Sequence, residues 1–120
     1  IIRCFGSKIM SSPLAFQKSY DFYKELYITL RGIAKRDRFT WGERCESMAL
    51  ELIQSINNAT YAPKTAQRNL LLQASETVDM LKIYLRLGHD LGIINQQKLI
   101  ARQTELHIIG NLVGGWIKKT

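Results

Sequence analysis

The segment "LKIYLRLGHDLGII", at residues 81–94, is apolar at most positions yet contains four polar side chains that could do chemistry. His89 and Asp90 are residue types found in general acid–base pairs, and Lys82 and Arg86 are types that contact phosphate. No candidate nucleophile lies near His89 in the sequence, and nucleophilic catalysis requires one beside its base. We therefore predict no catalytic residue in this segment.

A helix end explains the histidine. His89 falls in the last turn before Gly92, which suits the left-handed conformation that often follows a helix. An imidazole at this position can interact with the free carbonyl groups and the negative end of the helix dipole. Asp90 lies four residues after Arg86, a spacing that predicts an ion pair on the helix surface.

Basic residues continue along this helix beside its apolar stripe. Arg68, Lys82 and Arg86 recur at helical spacing with Ser75 and Asp79, and Asp79 is placed to pair with Lys82. Most charged helical stripes are solvated faces. The alternative is a flank that contacts phosphate, and it is favoured by the charge of the chain, which has 17 Lys and Arg against 10 Asp and Glu.

A second basic cluster surrounds the first predicted interhelical turn and consists of Lys35, Arg36, Arg38 and Arg44. A formal charge of +7 favours polyanionic partners such as nucleic acid. We predict that nucleic acid or a protein partner binds at Lys35, Arg36, Arg38, Arg44, Arg68, Lys82, Arg86 and Arg102.

The sequence lacks the patterns of metal and cofactor sites. Cys4 and Cys45 are far apart, with no CxxC pairing, and His89 and His107 lack the spacing of zinc ligands. No glycine-rich phosphate loop and no GxSxG motif is present, so we predict neither a cofactor nor enzymatic activity. No apolar run approaches the roughly 18 residues that span a bilayer, and no secretory signal is recognisable, so we expect a cytoplasmic protein with free thiols.

Apolar periodicity predicts the helices that position these residues. In the first helix the stripe steps by three and four through Phe16, Tyr20, Tyr23, Tyr27, Leu30 and Ala34. The stretch "KRDRF" interrupts this pattern, and "TWGE" then predicts a capping box in which Thr40 and Glu43 bond each other's backbone amides. The second helix follows, with its buried stripe at Cys45, Met48, Ala49, Leu52, Ile53, Ile56 and Ala59.

A third helix is predicted from Lys64 to the stop at Gly92, and a fourth after Asn95, which can cap it. The third stripe comprises Leu70, Leu71, Ala74, Val78, Leu81, Leu85 and Gly88, and the fourth comprises Leu99, Leu106, Ile109, Gly110, Val113 and Ile117. Long helices with short connections and no strand pattern predict an all-α, antiparallel up-down four-helix bundle.

We assign residues 13–120 to this bundle domain and residues 1–12 to a flexible leader or upstream extension. Met10 could be the natural start, and an ordinary disordered leader is an equal alternative.

Several apolar positions exceed what one stripe per helix would bury. They predict either a second helical neighbour, and hence an oligomer, or simply wide stripes in a small bundle. These positions are Tyr23, Tyr27, Leu71, Leu72, Ile83, Leu87, Ile94, Ile100 and Ile108.

The chain from about residue 14 to residue 119 resembles the Avd (accessory variability determinant) family of diversity-generating retroelements. The most specific pieces are "YLRLGHDLG", at residues 84–92, and "GGW", at residues 114–116. The segments "AFQKSYDFYKELY" and "RFTWGERCESMALELI" also fit. The wider group includes four-helix proteins encoded in intervening sequences of ribosomal RNA genes, with a structural or weak nucleic-acid-binding role, and these are the alternative.

The resemblance implies a noncatalytic protein whose basic four-helix protomers form a pentameric barrel. It also implies binding to the reverse transcriptase and the template RNA of the retroelement, in support of mutagenic cDNA synthesis. No single motif marks the binding surface of the family, so the basic residues named above are assigned from their charge and spacing alone.

Overall fold

The computed structural model of the protein describes residues 11–120, with side chains from residue 13 onward. The helices in this range are α1 (Ser11–Arg31), the short α2 (Lys35–Asp37), α3 (Glu43–Tyr61), α4 (Lys64–Asp90) and α5 (Gln96–Lys118), and a π-helical turn (Arg38–Gly42) joins α2 to α3. No strand occurs between residues 11 and 120. Residues 1–10 of the predicted leader, which include Cys4 and Met10, lie outside the described residues.

The four long helices form a bundle in which each packs against two others. Helix α1 contacts α3 and α5, and α4 contacts the same two helices from the other side. Successive long helices run in opposite directions because the connections at residues 62–63 and 91–95 are short. The prediction of an all-helical bundle is therefore confirmed for residues 11–120.

The core stripes of α3 and α4 follow the predicted periodicity. Every predicted position except Ile53 and Leu70 is fully buried, and these two are half-buried at the edge of the core. Apolar side chains at intervals of three and four residues lie on one face of a helix, which is why these two stripes could be predicted from spacing alone.

The predicted stripe of α1 is only partly right. Leu30 is buried and Phe16 and Tyr23 pack against the core, whereas Ala34 is exposed and Tyr20 and Tyr27 are 47% and 48% exposed. The buried face carries Ala15, Ser19, Phe22, Leu26 and Thr29 beside Leu30. The hydroxyl groups of this face are satisfied within the helix, since Ser19 Oγ donates to the Phe16 carbonyl at 2.9 Å and Thr29 Oγ1 to the Glu25 carbonyl at 3.0 Å. Two small polar residues can therefore be buried at little cost, while the tyrosines turn outward.

The predicted capping box is also wrong. The chain leaves helical geometry at residues 32–34 and is helical again from Lys35, so Thr40 lies inside a helical segment. The Thr40 hydroxyl donates to the carbonyls of Arg36 and Asp37, at 3.2 and 3.4 Å, and does not accept from Glu43. A capping threonine must precede the first helical turn, and here that turn comes five residues earlier.

The connection between α4 and α5 matches its prediction. Gly92 has φ of 76°, and the Ile93 amide donates to the Gly88 carbonyl at 2.8 Å, which closes the end of α4. The Asn95 side chain accepts from the Lys98 amide at 2.8 Å and caps α5. The buried side chains of α5 are Arg102, Leu106, Ile109, Val113 and Trp116, whereas the predicted Leu99, Gly110 and Ile117 are half-buried.

Candidate nucleic-acid interface

Three of the predicted binding residues lie together in the turn between α1 and α3. Lys35 and Arg36 are in α2, Arg38 begins the π-helical turn, and all three are exposed. Asp37, the acid among them, pairs with Arg36 at 3.6 Å. We call Lys35, Arg36 and Arg38 the basic turn, and it leaves two cations for an anionic ligand.

Trp41 fixes the basic turn on the bundle. Its indole Nε1 donates to the Tyr84 carbonyl at 2.7 Å, and its ring lies so close to Gly88 that a Cβ atom there would overlap it. The side chain is 7% exposed although it belongs to a connecting segment. Apolar periodicity predicted that Gly88 is buried, but no pattern in the sequence indicated that Trp41 is its neighbour.

Arg44 lies apart from the basic turn, in the first helical turns of α3. Its guanidinium is 3.9 Å from the Glu51 carboxylate, and both side chains are more than half exposed. Such surface pairs contribute little to stability. Arg44 can therefore exchange Glu51 for another anion at small cost.

Lys82 and Arg86 lie on the flank of α4 that faces α5. The Gln103 side chain of α5 donates to the Lys82 carbonyl at 3.1 Å, which places this flank at the groove between the two helices. The predicted ion pairs with Asp79 and Asp90 do not form within 4.0 Å, and Asp90 is instead 3.8 Å from His89.

The order of the charges explains why Arg86 and Asp90 do not pair, since a cation that precedes its acid by four residues pairs less well than the reverse order. Within the part of the chain that the structure describes, neither Lys82 nor Arg86 has an ion-pair partner. Both can therefore bind an external anion without first releasing one.

Arg68 lies at the opposite end of α4. Its guanidinium donates to the Ile117 carbonyl and to the Thr120 hydroxyl, both at 3.4 Å, at the C-terminal end of α5. Eighteen residues of helix separate Arg68 from Arg86, roughly 27 Å at 1.5 Å per residue. The structure therefore does not bring Arg68 together with the other predicted binding residues.

Arg102 is buried, which corrects its assignment to a binding surface. The side chain forms a bidentate pair with Glu105, at 2.8 and 3.0 Å, and also donates to Thr29 Oγ1 at 2.9 Å and to the Glu25 carbonyl at 3.2 Å. Burial raises the pKa of Glu105, and the neighbouring guanidinium opposes this increase. Arg102 joins α1 to α5 and has little capacity left for an external ligand, and its burial could not be predicted because arginine is usually exposed.

His89 lies at the C-terminal end of α4, as predicted, where Asp90 is its recorded partner. It lines a cavity of about 530 Å³ between the end of α1 and the α4–α5 connection, and Lys98 is the other titratable side chain in that lining. The Thr29 hydroxyl, which also borders the cavity, is used in the hydrogen bond to Glu25. This arrangement agrees with a helix-end position for His89.

Cys45 is fully buried, and burial raises the pKa of its thiol to about 12. Between residues 11 and 120, no group of three or more His, Cys, Asp and Glu side chains could hold a metal ion. Within the same range, every helix is too short or too polar to cross a membrane.

One comparison with known proteins gives a match. The sequence model of the family described as bAvd-like matches residues 14–120. No curated protein and no solved structure matches the chain significantly.

Proposed function

The chain belongs to the bAvd-like family, and from that membership we propose that it is a noncatalytic accessory protein of a diversity-generating retroelement. The match over residues 14–120 carries this proposal because it includes all four long helices. In this role the protein binds the reverse transcriptase and the template RNA of the element and supports mutagenic cDNA synthesis in the cytoplasm.

Charge and placement of cations support RNA binding. The chain has a formal charge of +7, and contacts to phosphate account for much of the affinity of proteins for nucleic acid. The basic turn is held in place by Trp41, and Lys82 and Arg86 have no ion-pair partner in the described part of the chain. We propose these two groups as the first places where template RNA or an acidic surface of the reverse transcriptase binds.

Exposed apolar side chains support an oligomer, for which we propose the pentameric barrel of the family. Six of the positions predicted to exceed a single stripe are at least 40% exposed, namely Tyr27, Leu72, Ile83, Leu87, Ile100 and Ile108. Leu71 and Ile94 are buried within the protomer and Tyr23 is half-buried, so the wide-stripe explanation holds for these three. The five of these side chains that lie on α4 and α5 favour burial against another copy, whereas Tyr27 lies on α1 with a cation over its ring.

Reconstitution tests the proposed function. The purified protein, mixed with the reverse transcriptase encoded beside its gene and with the cognate template RNA, should form a complex that synthesises cDNA. Omission of the protein should abolish synthesis, and heat-denatured protein is the matched control. Full cDNA synthesis without it, or a gene located inside a ribosomal RNA gene with no reverse transcriptase nearby, would contradict the proposal.

A further inference from the structure

The outward face of α1 alternates aromatic rings with cations. Tyr20 and Tyr27 are about half exposed. Lys24 follows Tyr20 by four residues, and Arg31 follows Tyr27 by four residues. Lys24 Nζ is 5.5 Å from the centre of the Tyr20 ring, and Arg31 Cζ is 5.9 Å from the centre of the Tyr27 ring. We call these four residues the aromatic–basic face.

Inner rings support the two exposed tyrosines. Phe16 stacks on Tyr20 with ring centres 6.1 Å apart, and Tyr23 packs against Tyr27 at 6.4 Å. Both inner rings pack against the core of the bundle, and the Tyr23 hydroxyl also donates to Glu46 at 2.7 Å. The exposed rings are therefore held in place before any ligand arrives.

The aromatic–basic face continues into the basic turn. A cavity of about 110 Å³ is lined by Tyr27 and Arg31 from α1 and by Arg38 from the turn. Phe39, the next residue after Arg38, is 61% exposed. Glu46 is the acid that borders this cavity, and its carboxylate accepts from Tyr23, so the positive charge of Arg31 and Arg38 is only partly offset.

Half-exposed aromatic rings beside cations that have no ion-pair partner among residues 11–120 match the requirements of a single nucleic-acid strand. Unpaired bases stack on aromatic side chains while their phosphates lie near Lys and Arg, whereas the bases of a duplex are already stacked on each other. Tyr20 and Tyr27 are two helical turns apart, roughly 10 Å, a distance that about three stacked nucleotides cover at 3.4 Å each.

We propose that Tyr20 and Tyr27, with Lys24, Arg31 and Arg38, form a binding site for single-stranded RNA. The rings stack on unpaired bases and the three cations bind the adjoining phosphates. The inference rests on the proposed function, because it takes RNA as a ligand, and it adds the location of the site and the strandedness of the RNA.

The test measures the binding of a short single-stranded RNA that carries the fluorescent base 2-aminopurine. With wild-type protein, fluorescence should fall on binding because the base stacks on a ring. The double variant Tyr20→Leu/Tyr27→Leu should bind at least tenfold more weakly and lose the quenching, since stacking contributes strongly per base. The variant Tyr20→Phe/Tyr27→Phe keeps both rings and should retain wild-type affinity and quenching.

Two controls separate stacking from charge and from folding. Tyr61→Leu removes another half-exposed tyrosine, at the far end of α3, and should leave binding unchanged. Lys24→Gln/Arg31→Gln should weaken binding and reduce its salt dependence, whereas the leucine variant should keep the wild-type salt dependence because it keeps every cation. Circular dichroism establishes that each variant is folded.

The outcomes distinguish this site from the general function. If wild-type protein binds single-stranded RNA and the folded leucine variant binds it equally well with equal quenching, the site is wrong and the proposed function stands. If the leucine variant loses the reverse transcriptase but keeps RNA, the face belongs to the protein partner, and the inference is likewise wrong. If wild-type protein binds no RNA at all, RNA binding fails together with this site.

Discussion

The ring of Trp41 covers the backbone of Gly88 so closely that no other residue fits at position 88 without a shift. Helix propensity alone predicts that Gly88→Ala stabilises α4 by about 1 kcal/mol. The contact predicts the opposite, because displacing a buried indole costs about 1–3 kcal/mol and strains its bond to the Tyr84 carbonyl. We expect a net loss of up to about 2 kcal/mol in the free energy of unfolding, measured by urea denaturation.

Gly114 provides the control for this prediction. It lies inside α5, and a Cβ atom there would have nothing within 4 Å. Gly114→Ala should therefore raise the free energy of unfolding by about 0.5–1 kcal/mol. If both alanine variants gain stability, Trp41 does not hold position 88 as tightly as the structure indicates.

Arg102→Met should destabilise the bundle by about 2 kcal/mol at pH 7. The substitution keeps most of the buried aliphatic stem but leaves the Glu105 carboxylate without its cation and removes the bond to Thr29 Oγ1, which keeps its own bond to the Glu25 carbonyl. The matched control is Arg44→Met, which removes an exposed arginine from a 3.9 Å pair and should change the free energy of unfolding by less than about 1 kcal/mol.

The loss caused by Arg102→Met should depend on pH. Burial raises the pKa of Glu105 and Arg102 lowers it, so the variant should have a still higher Glu105 pKa in the folded state. A carboxyl with a raised pKa in the folded state binds more protons folded than unfolded, and stability then falls as the pH rises through that interval. The difference between variant and wild type should thus be smaller near pH 4.5 than near pH 7, and a pH-independent difference would show that Glu105 is not the affected group.

Reversal of charge at Lys82 and Arg86 tests the groove between α4 and α5. The double variant Lys82→Glu/Arg86→Glu breaks no ion pair among residues 11–120, so its fold should be little affected. Binding to template RNA or to the reverse transcriptase should weaken at least tenfold, about 1.4 kcal/mol. For RNA, the slope of affinity against salt should become shallower by about one unit for each cation that contacts phosphate.

The control reverses the same charge elsewhere. Lys118→Glu/Lys119→Glu changes the net charge equally at the C-terminal end of α5, which is far from Arg86. If both double variants lose the same affinity, the effect is one of total charge, and if neither loses any, the flank of α4 is a solvated face.

His89→Gln should leave cDNA synthesis and partner binding within twofold of wild type. The side chain is at a helix end, and Asp90 at 3.8 Å is its recorded partner, so glutamine preserves size and polarity there. Activity in the reconstituted system is the measurement. A folded variant with no activity would assign His89 to catalysis or to an interface.

Light scattering on the purified protein should give the mass of five protomers. Ile83 and Leu87 lie one turn apart on α4 and are 58% and 42% exposed, and in the proposed oligomer they are covered by another copy. Ile83→Asp/Leu87→Asp should therefore yield smaller species with the helical content of the wild type. A wild-type protein that remains monomeric at micromolar concentration would contradict the oligomer.

Spacing predicted most of the fold and only part of the site. Local patterns made four features predictable. Apolar periodicity predicted the stripes of α3 and α4, and capping residues predicted the end of α4 at Gly92 and the start of α5 after Asn95. The core face of α1 was not, because the prediction counted Tyr20 and Tyr27 as core residues. Serine and threonine that bond their own helix could be buried in their place.

Residues distant in sequence account for the other errors. Arg102 is buried because Thr29 and Glu25 lie across from it on α1, and no pattern within α5 indicates that. Trp41 packs on Gly88 from a segment 47 residues earlier. The basic turn was predictable as a cluster because its members lie within four residues of sequence, but its attachment to α4 depends on this long-range contact.

The π-helical turn at Arg38–Gly42 sets the angular phase between the cations before it and the bundle after it. Such a turn accommodates one residue more than an α-helical turn. Removal of a single codon in this stretch would allow regular α-helix to continue, and it would leave Lys35 and Arg36 near their present angle relative to α3, because the π-helical turn already absorbs the extra residue. A deletion in the first turn of α3, which has no extra residue to release, would instead rotate these cations by about 100° around the helix axis relative to the rest of α3.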